Sequence, residues 1–284
     1  TTSNISSLTN LDVSNQNIAD LTGIEDFTSL TLLNCYDNQL TTLDVSAISS
    51  LATLSCYNNQ ISSLDLTQNI NLTYLRCESN QLTSLDLTNN TSLNYFYCDN
   101  NQLSALDLSN NNGLIRLSAA TNQLTSLTVS NMPNLNELFC QNNQLSNLDV
   151  RTGNNTSMSI FKAHNNPNLT CISVDDATWA TTNWTTANGN IDAQTSFSED
   201  CSALDVDDYV LAGFNMYPNP SFDIITISIQ EEANYRIVNL SGQVLKNGHL
   251  YFGDNMLNIS QLSDGLYFMN ITTDKGFICQ KIMK

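Results

Sequence analysis

Arg76 and Arg116 are the only basic residues before position 150, and both fall among aromatic residues. Tyr36 and Tyr57 lie 21 residues apart, as do Tyr74 and Tyr95; the same interval separates Arg76 from Tyr97. Guanidinium and aromatic groups held on one surface suit recognition. Tyrosine rings stack on sugar faces and place a hydroxyl at the edge, and Tyr and Arg are favoured anchors of protein interfaces. Glu78 and Asp99 are also 21 residues apart and could accept bonds from ligand hydroxyls. As paired carboxylates they are candidates for glycosidic hydrolysis, but an open, solvated sheet is expected to leave both at ordinary pKa values. His164 and His249 are the only histidines, and no nucleophile elbow, metal-binding His pair or phosphate-binding glycine loop is present. The residues therefore point to binding without a cofactor or metal, not to an enzyme.

The interval of 21 also governs the elements that would hold these residues. Cysteines stand at 35, 56, 77, 98 and 140, with Ala119 at the skipped position. Each unit reads L-x-x-L-x-C-x-x-N-x-L-x-x-L-D-L, with copies from Leu30, Leu51, Leu72, Leu93, Leu114 and Leu135. A longer first copy starts at Leu8 with Gln16 in the Asn slot, and a last copy starts at Met158 with Asn166 there. Alternation within L-x-C points Leu and Cys one way and their neighbours the other. No coil can bury its own apolar face, but stacking gives a continuous core. Eight coils at about 4.8 Å each span roughly 38 Å.

Over roughly residues 5 to 174 the pattern resembles the leucine-rich repeat family, in the short bacterial form of internalin-like surface proteins. The resemblance implies a right-handed solenoid with a parallel sheet on its concave side; a 21-residue coil leaves the convex return to turns and 3₁₀ structure. The outward positions then form three concave rows carrying Tyr36, Tyr57, Tyr74, Arg76, Tyr95, Tyr97, Arg116 and Phe139 as candidate ligand-binding residues. Tyr74, Arg76, Tyr95 and Tyr97 form a compact patch beside Arg116, and Lys162 and His164 take equivalent places in the last coil. Cross-strand aromatic pairs also stabilise a sheet by about 0.2–1 kcal/mol each, which explains tyrosines but not clustered arginines.

Two polar columns read as scaffold. Asn38, Asn59, Asn80, Asn101, Asn122 and Asn143 are expected to bend inward and bond backbone groups that the turn leaves unpaired; losing such a partner costs about 1–3 kcal/mol. Asp44, Asp65, Asp86, Asp107 and Asp149 form the other column, which lacks the glycine-rich turns of a repeated calcium site. The cysteine ladder reads as small buried hydrophobes. Cys171 and Cys201 lie outside it and are expected to form a disulfide sealing a cap, with Trp179 and Trp184 covering the last coil. Cys279 is left free.

The chain has 27 acidic and 9 basic residues, a net charge of −18, so nucleic acid and acidic membranes are unlikely partners. No apolar run approaches the ~18 residues that span a bilayer. The sequence opens almost inside a repeat, and a leader and part of a cap are expected to precede it. After Cys201 the period stops. The acidic stretch Asp205-Val206-Asp207-Asp208 leads to Tyr217-Pro218-Asn219-Pro220, then Ser241-Gly242-Gln243-Val244, Leu262-Ser263-Asp264-Gly265-Leu266-Tyr267, and Lys281-Ile282-Met283-Lys284. Together these resemble the C-terminal sorting domain of the type IX secretion system of Gram-negative bacteria. The resemblance implies an immunoglobulin-like β-sandwich, a sorting signal at Tyr217, Pro218, Asn219, Pro220, Gly242, Gly265, Tyr267, Lys281 and Lys284, and export to the surface or beyond. Its implied partners are the type IX translocon and a sortase-like protease, which would cut between Ser202 and Asn215. The expected layout is a solenoid over 1–174, a cap over 175–201, a linker over 202–213 and the sorting domain over 214–284. The function that follows is recognition or adhesion toward a protein or polysaccharide, with a passive structural coat as the alternative.

Overall fold

The computed structural model describes residues 5–201, 213–240, 242–273 and 277–284. Residues 202–212, which hold most of the expected linker and cleavage zone, lie outside the described residues, as does Ser241. The chain divides into two units, Thr1–Cys201 and Ser202–Lys284.

The strands of the first unit are β1 (Asn10–Asp12), β2 (Leu32–Asn34), β3 (Thr53–Ser55), β4 (Tyr74–Arg76), β5 (Tyr95–Tyr97), β6 (Arg116–Ser118), β7 (Ser126–Thr128), β8 (Glu137–Phe139), β9 (Asn147–Val150), β10 (Ile160–Lys162), β11 (Cys171–Val174) and β12 (Ser196–Ser198). Eight of them form one parallel sheet in the order β1-β2-β3-β4-β5-β6-β8-β10. Its register sets each residue beside its counterpart one coil on, so Tyr74 faces Tyr95 and Arg76 faces Tyr97. The period-2 alternation works as expected: Leu33, Leu54, Leu75, Phe96, Leu117 and Leu138 are fully buried while their neighbours face out. Cys35, Cys56, Cys77, Cys98 and Cys140 are likewise buried and free. Burial pushes the Cys35 and Cys140 thiols up to about 12, so they remain protonated packing groups.

The asparagine column staples coil to coil. Asn59 Nδ2 donates to the carbonyls of Cys35 and Cys56, both at 3.0 Å, and its Oδ1 accepts from Leu40 N at 2.9 Å. Asn80, Asn101, Asn122 and Asn143 repeat the pattern. Just before each stands a residue in the left-handed region: Asp37, Asn58, Ser79, Asn100, Thr121, Asn142 and Asn165, with φ between 51° and 57°. That twist turns the strand end so that the next side chain enters the core. A second buried column, Asn69, Asn90 and Asn111, links the return segments; Asn90 Nδ2 donates to Leu66 O and Asn69 O.

The aspartates hold the return turns. Asp65 Oδ1 accepts from both Thr67 N and Thr67 Oγ1, and Asp44 and Asp86 do the same with Ser46 and Thr88. The return side is mostly turn, with 3₁₀ segments at Ile24–Asp26 and Asn155–Ser157. In the later coils it also forms a second parallel sheet, β12-β11-β9-β7, which the sequence did not suggest.

Cys171 and Cys201 are joined by a disulfide. Between them helix α1 (Ala177–Asn183) starts at Asp176, whose carboxylate accepts from Trp179 N. Trp184 is buried and stacks on Phe161 of the last coil at 4.0 Å, and Trp179 meets Trp184 edge-on at 5.5 Å. The segment after α1 adds a further turn, since Ala163 N donates to Asn190 O and Asn190 Nδ2 donates to Phe161 O. The solenoid thus has about nine turns rather than eight, the last supplied by the cap.

The second unit is antiparallel. Its strands are β13 (Asn215–Tyr217), β14 (Ile224–Ile229), β15 (Ala233–Val238), β16 (Val244–Leu250), β17 (Gly253–Asn258), β18 (Leu266–Thr272) and β19 (Phe277–Met283). Sheets β13-β14-β17 and β16-β15-β18-β19 enclose Ile225, Ile227, Ile237, Met269, Ile271 and Ile282, as in a β-sandwich. Among the described residues no helix is long and apolar enough to cross a membrane.

Candidate functional site

Three residues per coil project from the concave sheet, and the register brings the aromatic and basic ones into a single stripe. Tyr36 and Tyr57 stack with centroids 4.5 Å apart and planes 5° from parallel. Arg76, from the coil on the other side of Tyr57, lies 4.1 Å over that ring and 5.5 Å from the Tyr97 ring. Arg116 lies 5.0 Å from Tyr97 and 4.9 Å from Phe139. One ring or guanidinium per coil therefore runs unbroken from Tyr36 to Phe139, each contact a stacking or cation–π pair. Tyr74 sits beside this line, 5.9 Å from Tyr95 and 5.7 Å from Tyr97. Tyr95 is 38% exposed.

Neither arginine is a free charge. Arg76 Nε and Nη2 both donate to Glu78 Oε1, and Arg116 Nη1 pairs with Glu137 Oε2 at 2.6 Å. Lys162 does not extend the basic surface either: its Nζ donates to Asn188 O at 2.8 Å and Gly189 O at 3.1 Å in the cap.

The expectation of ordinary carboxyls at Glu78 and Asp99 is corrected. Burial pushes both upward, although Arg76 opposes the shift at Glu78, and Ser118 and Ala120 oppose it at Asp99. The physical reason is burial: Glu78 Oε2 is enclosed without a hydrogen-bond partner, and enclosure disfavours the charged form. Asp99 Oδ1 accepts from Ser118 Oγ at 2.6 Å and Ala120 N at 3.0 Å. The signal for these pairings lies in the spacing: Arg76 and Glu78 are two residues apart and share a face, and Arg116 and Glu137 are register partners on adjacent strands.

In the second unit the separated motifs meet. Asn219 Nδ2 donates to Lys281 O at 2.7 Å, and Met283 N donates to Asn219 Oδ1 at 2.9 Å. Gly265 and Lys284 exchange two backbone bonds, and Tyr267 OH donates to Ser263 O at 2.7 Å. Gly242, with φ 80°, turns the chain between β15 and β16. Tyr217 is nearly half exposed on β13, with Pro218 and Pro220 in the turn that follows it.

Residues 215–284 match the family model of the secretion system C-terminal sorting domain. Internalin J of Listeria monocytogenes serotype 4b (strain F2365) is 55% identical over 42 residues, which are 15% of this chain and 5% of that protein. The solved functional domain of InlJ from Listeria monocytogenes, described as including a cysteine ladder, superposes with a TM-score of 0.51 at 32% identity, over 61% of this chain and 45% of that one. The chain thus spans less than half the length of either relative. It carries an internalin-like leucine-rich repeat solenoid followed by a type IX sorting domain, a signal for secretion to the cell surface or the extracellular space.

Proposed function

We propose that the solenoid is a recognition or adhesion module of a Gram-negative bacterium, exported through the type IX system, and that its concave face binds a protein. The observation that carries this reading is the continuous stripe from Tyr36 through Tyr57, Arg76, Tyr97 and Arg116 to Phe139. Its geometry favours a protein over a polysaccharide. A sugar ring needs the flat face of an aromatic, and the faces of Tyr57 and Tyr97 are taken by Tyr36, Arg76 and Arg116. What these two rings at the centre of the stripe leave free is their edges and phenol hydroxyls, which suit the carbonyls and side chains of a partner surface. Because these groups already hold one another, little side-chain freedom is lost on binding.

Catalysis is not part of this reading. A raised carboxyl is one attribute of a general acid, but Glu78 is locked to Arg76 and Asp99 to Ser118 and Ala120. The passive-coat alternative has no use for two ion-paired arginines set between rings.

The test presents the full chain to parallel arrays of extracellular proteins and purified polysaccharides, with Tyr74→Ala/Tyr95→Ala as the control. Both rings lie beside the stripe, so their loss leaves Arg76 paired. A protein hit weakened at least tenfold in the variant, with a nearly unchanged thermal midpoint, is the expected result. A polysaccharide hit would reverse the ligand class. A large fall in midpoint with binding retained would assign the tyrosines to the scaffold.

A further inference from the structure

Four short stretches make the sorting unit recognisable, and three of them lie far apart along the chain: residues 217–220, 262–267 and 281–284. All three converge on the same few atoms. Asn219 bonds the last strand at both Lys281 and Met283, and Ser221 N donates to Met283 O at 2.9 Å. The Lys284 side chain is only 9% exposed. Its Nζ donates to Ser260 O at 2.8 Å and Leu262 O at 2.6 Å, and Asp223 Oδ1 lies 3.8 Å away. An ammonium has three donors and no acceptor. Here two of the donors are answered by carbonyls within the unit, and the Asp223 carboxylate stands at ion-pair distance from the charge. The main chain of Lys284 is fixed as well, by two bonds of 2.9 and 3.0 Å to Gly265. Lys281, three residues earlier, projects into solvent instead.

The charge of Lys284 is therefore spent inside the fold. We propose that Asn219 and Lys284 are positioning residues of a clasp, which closes β19 against the β13 end and the 260–265 loop. The export machinery then reads the closed clasp, not the ammonium of Lys284. This rests on the assignment of residues 215–284 as a sorting domain. It explains why these three stretches, so far apart along the chain, belong to one signal: each is the hydrogen-bonding partner of another.

The full chain, preceded by a secretory signal peptide and expressed in a host with type IX machinery, provides the test. Secreted protein and amide exchange of the purified chain are measured for Asn219→Ala, Lys284→Met, Lys284→Arg and Lys281→Met. In Asn219→Ala and Lys284→Met, protection of β19 and residues 215–217 is expected to fall roughly tenfold or more, while the central strand β15 stays protected. Export should fall with it. Lys284→Arg should retain much of both, and Lys281→Met should leave the exchange pattern unchanged. Export lost in Lys284→Met with β19 still protected would overturn the proposal, because the ammonium itself would then be read. So would normal export from an opened clasp, or no change in either readout. Where Lys284→Met also exposes β15, Asn219→Ala decides, since it removes only two bonds. Failure of the unaltered chain to be exported would instead sink the sorting assignment.

Discussion

Thr121 is the residue least suited to its place in the solenoid. It occupies the column of left-handed residues that precedes each buried asparagine, with φ 55°. A left-handed backbone costs an ordinary L-residue about 1–2 kcal/mol, and a β-branched one fares worst, whereas Asn and Asp tolerate it. Most coils use Asp or Asn there: Asp37, Asn58, Asn100, Asn142 and Asn165. Thr121 is exposed, and its Oγ1 accepts only a long bond of 3.4 Å from Asn142. Replacing Thr121 with Asn should therefore stabilise the solenoid by about 1 kcal/mol, measured by denaturant unfolding; a loss of stability would mean that the hydroxyl matters more than the backbone. Asn155 presents the converse misfit. It is fully buried, and neither side-chain polar atom has a partner. Apolar Met132 stands in the same slot one coil earlier. Asn155→Leu should raise the thermal midpoint, since a buried polar group without partners costs roughly 1–3 kcal/mol.

At the scale of elements, the concave strands were legible because their alternation is a property of each short segment. The return strands were not. Leu43-Asp44-Val45 belongs to no strand, while Leu148-Asp149-Val150 lies in strand β9, although the two read alike. The difference lies in the neighbour: β9 pairs with β7 on one side and with β11 on the other. A strand of three or four residues exists only where an adjacent segment is set to receive it, and no local sequence encodes that. The burial of the carboxyls beside the stripe is hard to read from sequence for a related reason. Rows and columns follow from the period, but how deeply Glu78 is buried depends on how the side chains of adjacent coils pack, which the period does not specify. The cap was legible through its two cysteines and two tryptophans. Its disulfide closes a loop with a sequence separation of 30, for which chain entropy gives about 3–4 kcal/mol. A Cys171→Ser/Cys201→Ser variant should lose that much, and the loss should begin at the cap. Limited proteolysis would then cut within residues 175–201 before the inner coils; a uniform digestion pattern would show that the cap does not seal the stack.

For the whole molecule, acidity is distributed unevenly, and this decides how stability responds to pH. Asp44, Asp65 and Asp86 are held below the usual carboxylate range by hydrogen bonds from the Ser or Thr two residues on. A carboxyl lowered in the folded state contributes stability above its unfolded pKa of about 4 and loses it as pH falls through the folded value. Glu78 and Asp99 are raised by burial, and their sign is opposite. A carboxyl raised in the folded state is best tolerated when protonated, so stability grows as pH falls through its folded pKa. The net charge of −18 adds to that rise, because protonation relieves self-repulsion. Among the described residues, the carboxyls with resolved shifts all lie in the solenoid, so its unfolding should carry the signature. The thermal midpoint should climb as pH falls from neutral and then drop below about 4 as the aspartate turns lose their acceptors. Salt separates the two sources of the climb. At high ionic strength the surface repulsion is screened, and what remains is the part that belongs to the buried carboxyls. Glu78→Gln, which keeps an acceptor for Arg76 but cannot ionise, should flatten that remainder and leave the acid limb in place. A midpoint that declines steadily from neutral pH at high salt would mean that burial costs Glu78 and Asp99 nothing.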